Sequence, residues 1–488
     1  MTRRLAIPAL VGLGGSVAIA ASAIMVGRLP AGEDQWPARG PLAWVGRGSE
    51  VAANRWFVAG CLGLAVAWLA IVQTCRAAHV PAWAPLAVAA IWCVPLFFAP
   101  PVASGDVYAY AAQGRVSAAG ADPYEVGAGA FLAGTPTGDS VDPFWASTPS
   151  SYGPLWIGVS EAVARAAGER PALAVTLFRL VAVAGVAAAA FAASAVARRS
   201  GSDPALVTAL VAGSPIVVVH LVGGAHNDAL MIGLAAVAVA AAASGSVLVG
   251  VAGCSLAAAV KAPAFVVLAV VASRAGGRRV AAVVAVAGGS FLAVTFLARV
   301  DFGWVSNLDS AFVVYPPLSI TTDVGIVLTR AFERGEWLGD ATTIDVVRAA
   351  GTVMAGGFVL LALGRARSDL VRATTLGLGA LALLGPVVFP WYLTWLVPGA
   401  ALLVARVPAR SVSTCALFAA SAAVAMAALP TGRSFVDPPI SSSLAVVVVG
   451  AVVGAGVVSV LGSLVSSRAI GSSAADPVRL RPRRSEPR

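Results

Sequence analysis

The sequence predicts an all-α fold: a polytopic membrane helical bundle of about 14 transmembrane segments with helical loops on one side. Three observations predict it. Of 488 residues, 59% are hydrophobic and 11% are charged, whereas a soluble domain averages roughly 25% charged. A globular core cannot hide that much apolar surface. The apolar residues also fall in Ala/Val/Leu runs of about 18 or more, as a bilayer-crossing helix requires, whereas a barrel strand needs only about ten alternating residues. The third observation is where the arginines lie.

Spans are expected near 5–27, 56–75, 81–99, 171–197, 204–222, 226–243, 246–260, 262–273, 279–299, 345–364, 370–389, 391–406, 411–429 and 443–466. The first is long for a cleaved signal peptide and reads as a retained span, although Ala21-Ser22-Ala23 offers small residues of the cleavage type. The turns that this register assigns to the cytoplasm carry Arg3, Arg4, Arg76, Arg198, Arg199, Arg274, Arg278, Arg279, Arg365, Arg367 and Arg406. That is the positive-inside pattern. The net charge of +10 therefore reports topology, and no nucleic acid is expected as a partner. The chain divides into a membrane catalytic domain, 1–466, and a basic cytoplasmic tail, 467–488, expected to be disordered.

Pro154 to Ala167 is apolar enough to tempt a further span, but counting it would put Arg198-Arg199 outside. Glu161 and Arg165 at i,i+4 suit a wet helix face, so the segment reads as a helix on the outer membrane surface. Residues 246–273 read as a hairpin of two short helices. The long loops 28–55, 100–170, 300–344 and 430–442 then lie outside with most of the acids. Long loops without a core of their own are usually functional. No phosphate-cradling glycine loop occurs, so an activated substrate would arrive on a lipid. The five cysteines, Cys61, Cys75, Cys93, Cys254 and Cys415, lie in or beside apolar runs without metal spacing and read as buried thiols.

Four groups of residues carry candidate chemistry. Asp106 follows the apolar segment Val80–Pro101, and a carboxylate at a membrane boundary is costly to keep there. It reads as a general base or a ligand for sugar hydroxyls; a helix N-cap is the plainer alternative. Lys261 is the only lysine in the chain, set in an apolar hairpin beside Pro263. It reads as a fixed ammonium for a lipid phosphate, the alternative being a snorkelling side chain. Gly223-Gly224-Ala225-His226-Asn227-Asp228 gathers three polar side chains after a flexible turn, read as sugar or phosphate contacts. His226 with Asp228 supplies only two metal ligands, so no metal or other cofactor is expected beyond a weakly bound divalent cation. The turns Asp122-Pro123-Tyr124 and Tyr152-Gly153-Pro154 present aromatics, as does Phe389-Pro390-Trp391-Tyr392; these rings suit sugar stacking or an interfacial aromatic belt.

Asp106 with Tyr108 and Tyr110, then Asp122-Pro123-Tyr124, Tyr152-Gly153-Pro154, His226-Asn227-Asp228 and Lys261, occur in this order. The ordered set resembles the actinobacterial polyprenol-phosphomannose-dependent α-1,6-mannosyltransferases, the MptA/MptB family of GT-C membrane glycosyltransferases, over about residues 80–400. The resemblance implies the GT-C fold, a polyprenyl-phosphate mannose donor, a lipomannan or lipoglycan acceptor, and an outward-facing catalytic aspartate at Asp106. Lys261, with His226 or Arg115, would hold the donor phosphate. Tyr108, Tyr110, Asp122, Tyr124, Tyr152, Asn227, Asp228, Trp391 and Tyr392 would hold sugar and acceptor. The implied setting is the cell membrane, with an extracytoplasmic active site. The rivals are a transporter or flippase for a lipid-linked sugar, and a GT-C enzyme using another polyprenyl-phospho-sugar. Against a transporter, no paired halves with matching broken helices are visible. No motif speaks to oligomeric state.

Overall fold

The computed structural model describes residues 3–314, 316, 318–332, 340–406 and 425–431. Among these residues the α-helices are α1 (Arg3–Val26), α2 (Glu50–Ala77), α3 (Trp83–Cys93), α4 (Asp106–Ala118), α5 (Ala128–Phe131), α6 (Pro136–Asp139), α7 (Pro154–Ala167), α8 (Pro171–Arg199), α9 (Pro204–Ala212), α10 (Asp228–Ala243), α11 (Val247–Ala258), α12 (Ala264–Ala272), α13 (Val280–Ala298), α14 (Ile320–Phe332), α15 (Asp340–Arg365), α16 (Leu370–Leu384) and α17 (Val397–Val404). No β-strand occurs among the described residues.

The all-helical architecture with several apolar spans stands, but not every expected span among the described residues is a single long helix. Among the described residues five helices are long and apolar enough to cross a membrane: α1, α2, α8, α13 and α15. A sixth span forms if α9 is joined to the π-helical segment Val217–Gly223, bent from it by 57°. The other expected spans among the described residues are shorter helices, and prolines account for much of the difference. Proline has no N–H to donate and clashes with the preceding turn. At Pro95, α3 passes into a 3₁₀ turn, Val94–Phe98. Pro215 stands at the break after α9, Pro263 precedes α12, and Pro390 opens a 3₁₀ turn before α17. The expected span 443–466 and the tail 467–488 lie outside the described residues, as does most of 411–429.

The two short helices expected over 246–273 are α11 and α12, and they form a hairpin. A Cβ on Gly250, near the start of α11, would stand 3.2 Å from Val271 at the end of α12. The apex, Ala259–Pro263, carries Lys261. Glycines allow the close approach of α8 and α10: a Cβ on Gly185 would meet the carbonyl of Ala229 at 2.3 Å, the small-residue packing that membrane bundles favour.

α7 is not among the membrane-crossing helices, as expected. Its Glu161–Arg165 pair also forms, with Arg165 Nε and a guanidinium NH₂ donating to Glu161 Oε1 at 2.9 and 2.7 Å. The wet face holds for Arg165, which is 56% exposed, but not for Glu161. The Glu161 side chain is 10% exposed, accepts from Ser117 of α4 and pairs with Arg299 just beyond α13. At the other end of the bundle, Arg274 donates to the carbonyl of Ala366 at 2.8 Å. Arg406 reaches Asp369 at 3.5 Å. Three arginine-bearing turns thus gather together.

Candidate functional site

Asp106 is the first residue of α4. Its own N–H donates to Ser104 Oγ at 3.2 Å, and Gly105 is the residue before the helix. The carboxylate thus sits in the first turn, where the helix dipole favours negative charge, rather than serving as the cap. Ala103, just upstream, has φ 61°. A left-handed alanine costs on the order of 1–2 kcal/mol. The Asp106 side chain is 27% exposed, and burial raises its pKa to about 6. Ser104 and the Lys261 ammonium pull it down, while the carboxylates of Asp228 and Asp142 push it up.

The second wall comes from the turn after the π-helical segment. π-helical turns need an unusual ladder and recur at functional sites. Ala225 is left-handed with φ 56°, and the turn drives His226 and Asn227 inward, each 1% exposed. The His226 ring stacks on Trp391 at 3.9 Å and 20°, and Trp391 stacks on Phe389 at 4.7 Å and 3°. This fixes the imidazole plane. His226 Nδ1 then stands 3.8 Å from Asp106 Oδ2. Both ring nitrogens of His226 and both amide atoms of Asn227 lack a hydrogen-bond partner within the protein. A buried polar group left unpaired costs about 1–3 kcal/mol, so the imidazole beside the Asp106 carboxylate, with the unpaired Asn227 amide next to it in the chain, marks a place shaped for a polar ligand.

The third wall is the hairpin apex. Lys261 Nζ donates to Asp228 Oδ1 and Oδ2, both at 2.9 Å. Trp395 Nε1 donates to Asp228 Oδ1 at 2.6 Å. The ammonium lies 4.6 Å from the Tyr392 ring centre and 5.8 Å from those of Tyr152 and Trp395, within cation–π range. Lys261 is therefore neither snorkelling nor unpaired; it is held by one carboxylate and three rings. Tyr152 arrives because the start of α7 docks on the apex. Gly153 N–H donates to the Val260 carbonyl at 3.2 Å, and Leu155 N–H to that of Ala259 at 2.8 Å. A Cβ at Gly153 would stand 2.3 Å from the Ala259 oxygen, so only glycine fits. Tyr110 meets the Tyr152 ring edge-on at 5.3 Å.

The structure thus brings together Asp106, Tyr110, Tyr152, His226, Asn227, Asp228, Lys261, Trp391 and Tyr392. It does not gather the rest. Arg115 lies about 13 Å along α4 from Asp106 at 1.5 Å per residue, and its guanidinium pairs with Glu169. Tyr108 is buried and donates to the Arg28 carbonyl at 2.9 Å. Asp122 accepts from Tyr124 N–H at 2.8 Å, closing the turn it starts. Tyr124 is held beneath it, with Asn307 donating to its carbonyl at 3.0 Å. From the sequence Trp395, like Trp391, suits sugar stacking or an interfacial belt, and its hydrogen bond to Asp228 is not legible there; Arg179 escapes sequence reasoning altogether. Arg179 lies within the apolar run of α8, and an arginine inside such a run is the available signal. Among the described residues no three His, Cys, Asp or Glu side chains cluster for a metal.

Comparison with known proteins gives this geometry a context. The family description "Alpha-(1->6)-mannopyranosyltransferase, N-terminal domain" matches residues 9–277. The chain belongs to the MptA/MptB family. The MptB C-terminal domain matches residues 321–460. The likeness therefore extends well beyond the 80–400 range legible from motifs. The N-terminal match holds every gathered residue up to Lys261, and the C-terminal match holds Trp391, Tyr392 and Trp395. A probable α-(1→6)-mannopyranosyltransferase of Mycolicibacterium smegmatis is 32% identical over 358 residues, 62% of this chain and 62% of its own length. An α-(1→6)-mannopyranosyltransferase of Mycobacterium tuberculosis is 30% identical over 379 residues, 62% of this chain and 63% of its own length. The chain thus spans less than two thirds of these two relatives. The α-(1→6)-mannopyranosyltransferase A of M. tuberculosis is 29% identical over 413 residues, 80% of this chain and 78% of its own length.

Proposed function

We propose that this MptA/MptB-family protein is a membrane mannosyltransferase. It moves mannose from polyprenyl phosphomannose to a mannan- or lipomannan-type acceptor, forming α-1,6 links with inversion at the extracytoplasmic face. The observation that carries this reading is a half-buried acid, Asp106, facing the unpartnered ring nitrogens of His226 in a chain whose relatives are named for this transfer.

In this reading Asp106 takes the proton of the acceptor hydroxyl as its oxygen attacks C1 of the mannose. The bond from C1 to the phosphate oxygen breaks, and polyprenyl phosphate leaves with the electron pair. A positioned base contributes roughly 10²–10⁴-fold, most when its pKa lies near the working pH, which suits a carboxyl raised to about 6. Lys261 gives two of its three N–H donors to Asp228; the third and the His226 ring meet the departing phosphate. N–H donors fixed where anionic charge develops act strongly in a site that excludes water. Asn227 takes a sugar hydroxyl, Asp228 holds the Lys261 ammonium in place, and Tyr110, Tyr152, Trp391 and Tyr392 wall the sugar. Tyr108, Asp122 and Tyr124 hold the loop rather than the ligand.

Support for the outer face comes from α13. It separates Arg278 and Arg279 at one end from Arg299 at the other, and Arg299 joins α7, the helix that docks on the Lys261 apex. The test is to incubate the purified protein with radiolabelled polyprenyl phosphomannose and a mannoside acceptor. Labelled α-1,6 product is expected. Transfer only from a different polyprenyl-phospho-sugar would overturn the donor, and lipid translocation without product would overturn the enzyme.

A further inference from the structure

We infer that Arg179 is a positioning residue for the Asp106–His226 pair: its buried guanidinium ties the backbone that carries Asp106 to the backbone that carries His226. The inference rests on reading these two residues as base and donor contact.

Arg179 is 0% exposed in the first third of α8. It donates to the Ala99 carbonyl at 2.7 Å, to the Pro100 carbonyl at 2.9 Å and to the Gly223 carbonyl at 2.8 Å. The first two lie on the approach to Asp106, and the third just before His226. Val102 N–H also donates to the Gly223 carbonyl, at 3.0 Å, so the two strands of chain meet at one oxygen. Beyond this knot each strand passes through a left-handed alanine, Ala103 and Ala225. Among the described residues only Arg299 is another non-glycine with positive φ. Strained backbone persists only where its surroundings over-determine it, and here the knot supplies the determination. A planar fork of five N–H donors can serve three carbonyls at once; a glutamine has two donors, and a lysine has no fork. The partners given by these bonds are carbonyls, and none is a carboxylate. The side chain is therefore set to hold backbone rather than to neutralise an acid.

The test uses a disulfide in place of the guanidinium. A Cβ at Gly223 would stand 3.1 Å from Val102 Cβ, a small shift from the roughly 3.5–4.5 Å that a disulfide needs. The full-length protein carries Val102→Cys and Gly223→Cys with its native cysteines changed to alanine, with Arg179 or with Arg179→Met. In the Met background with thiols reduced, kcat should fall on the order of 10²-fold, as a misplacement of about 1 Å can cause, while KM for donor and acceptor moves a few-fold at most. Oxidation should restore most of kcat, and dithiothreitol should remove it again. Unchanged kcat in Arg179→Met, or a formed disulfide that restores nothing, would overturn the positioning role. If Arg179→Met fails to accumulate, Arg179→Lys takes its place with the same expectation at smaller amplitude.

A second readout is independent of catalysis. The disulfide should form more slowly with Arg179→Met than with Arg179, read by gel shift. An equal rate overturns the knot even if the wild type transfers no mannose. Absent transfer with unequal rates would instead overturn the functional reading and leave the knot standing.

Discussion

His226 Nδ1 stands 3.8 Å from Asp106 Oδ2, beyond a hydrogen bond but close enough for one hydroxyl to touch both. Asp106→Asn keeps that shape and removes the ability to take a proton. Turnover should fall by about two to four orders of magnitude, with expression and donor binding unaltered. Single-turnover transfer at saturating donor is the measurement. Activity within a few-fold of wild type would remove Asp106 from the mechanism.

Burial lifts the Asp106 carboxyl to about 6, and only the ionised form can act as base. Below that pH the group is protonated, so kcat/KM should rise about tenfold per pH unit towards pH 6 and level off above it. The rising limb should vanish in Asp106→Asn. A limb that survives in the variant belongs to another group.

Lys261 and Asp228 form a buried pair, so removing either leaves an unmatched charge at a cost of about 3–5 kcal/mol. Lys261→Ala and Asp228→Leu should each lower the unfolding temperature more than the combination Lys261→Met with Asp228→Leu. Among folded variants, Lys261→Ala should weaken donor binding far more than acceptor binding. Lys261→Arg should recover little, because the three-ring cage surrounds a compact ammonium and not a planar guanidinium. Equal loss for both substrates would make the lysine purely structural.

The proposed orientation is checked by cysteine labelling at three exposed positions, Asp139, Ser306 and Ser368. A membrane-impermeant maleimide applied to intact, wall-permeabilised cells should label the first two and leave Ser368 silent. The reverse pattern inverts the topology and removes the case for a lipid-borne donor at the outer face.

Much of the site was legible because its members are chemically out of place. An acid at the membrane edge, a lone lysine in an apolar hairpin and a His-Asn-Asp run after two glycines each contradict their surroundings, and they converge. What stayed hidden are the pairings. Nothing in the spacing of Asp228 and Lys261 says that one neutralises the other, because the contact depends on how α10 packs against the α11–α12 hairpin. Arg115 looked available until α7 ended in a turn that delivers Glu169. The breaks within the expected spans were hidden for a related reason. Hydropathy integrates over a window and does not register that Pro95, Pro215 and Pro263 cut an apolar run into pieces. Glu161 misled in the opposite way, since an i,i+4 pair on one helix gives no hint that α4 and the end of α13 will cover it.

The docking of Gly153, Leu155 and Trp156 on the Ala259 and Val260 carbonyls also bears on biogenesis. A broken hairpin exposes carbonyls that apolar surroundings cannot satisfy. The helix that satisfies them, α7, precedes the hairpin in the chain and so emerges first during synthesis. The partner for the break is therefore already in place when α11 ends. A duplication or insertion that delayed α7 until after α12 would leave those two carbonyls without it during insertion, even if the finished contacts were the same.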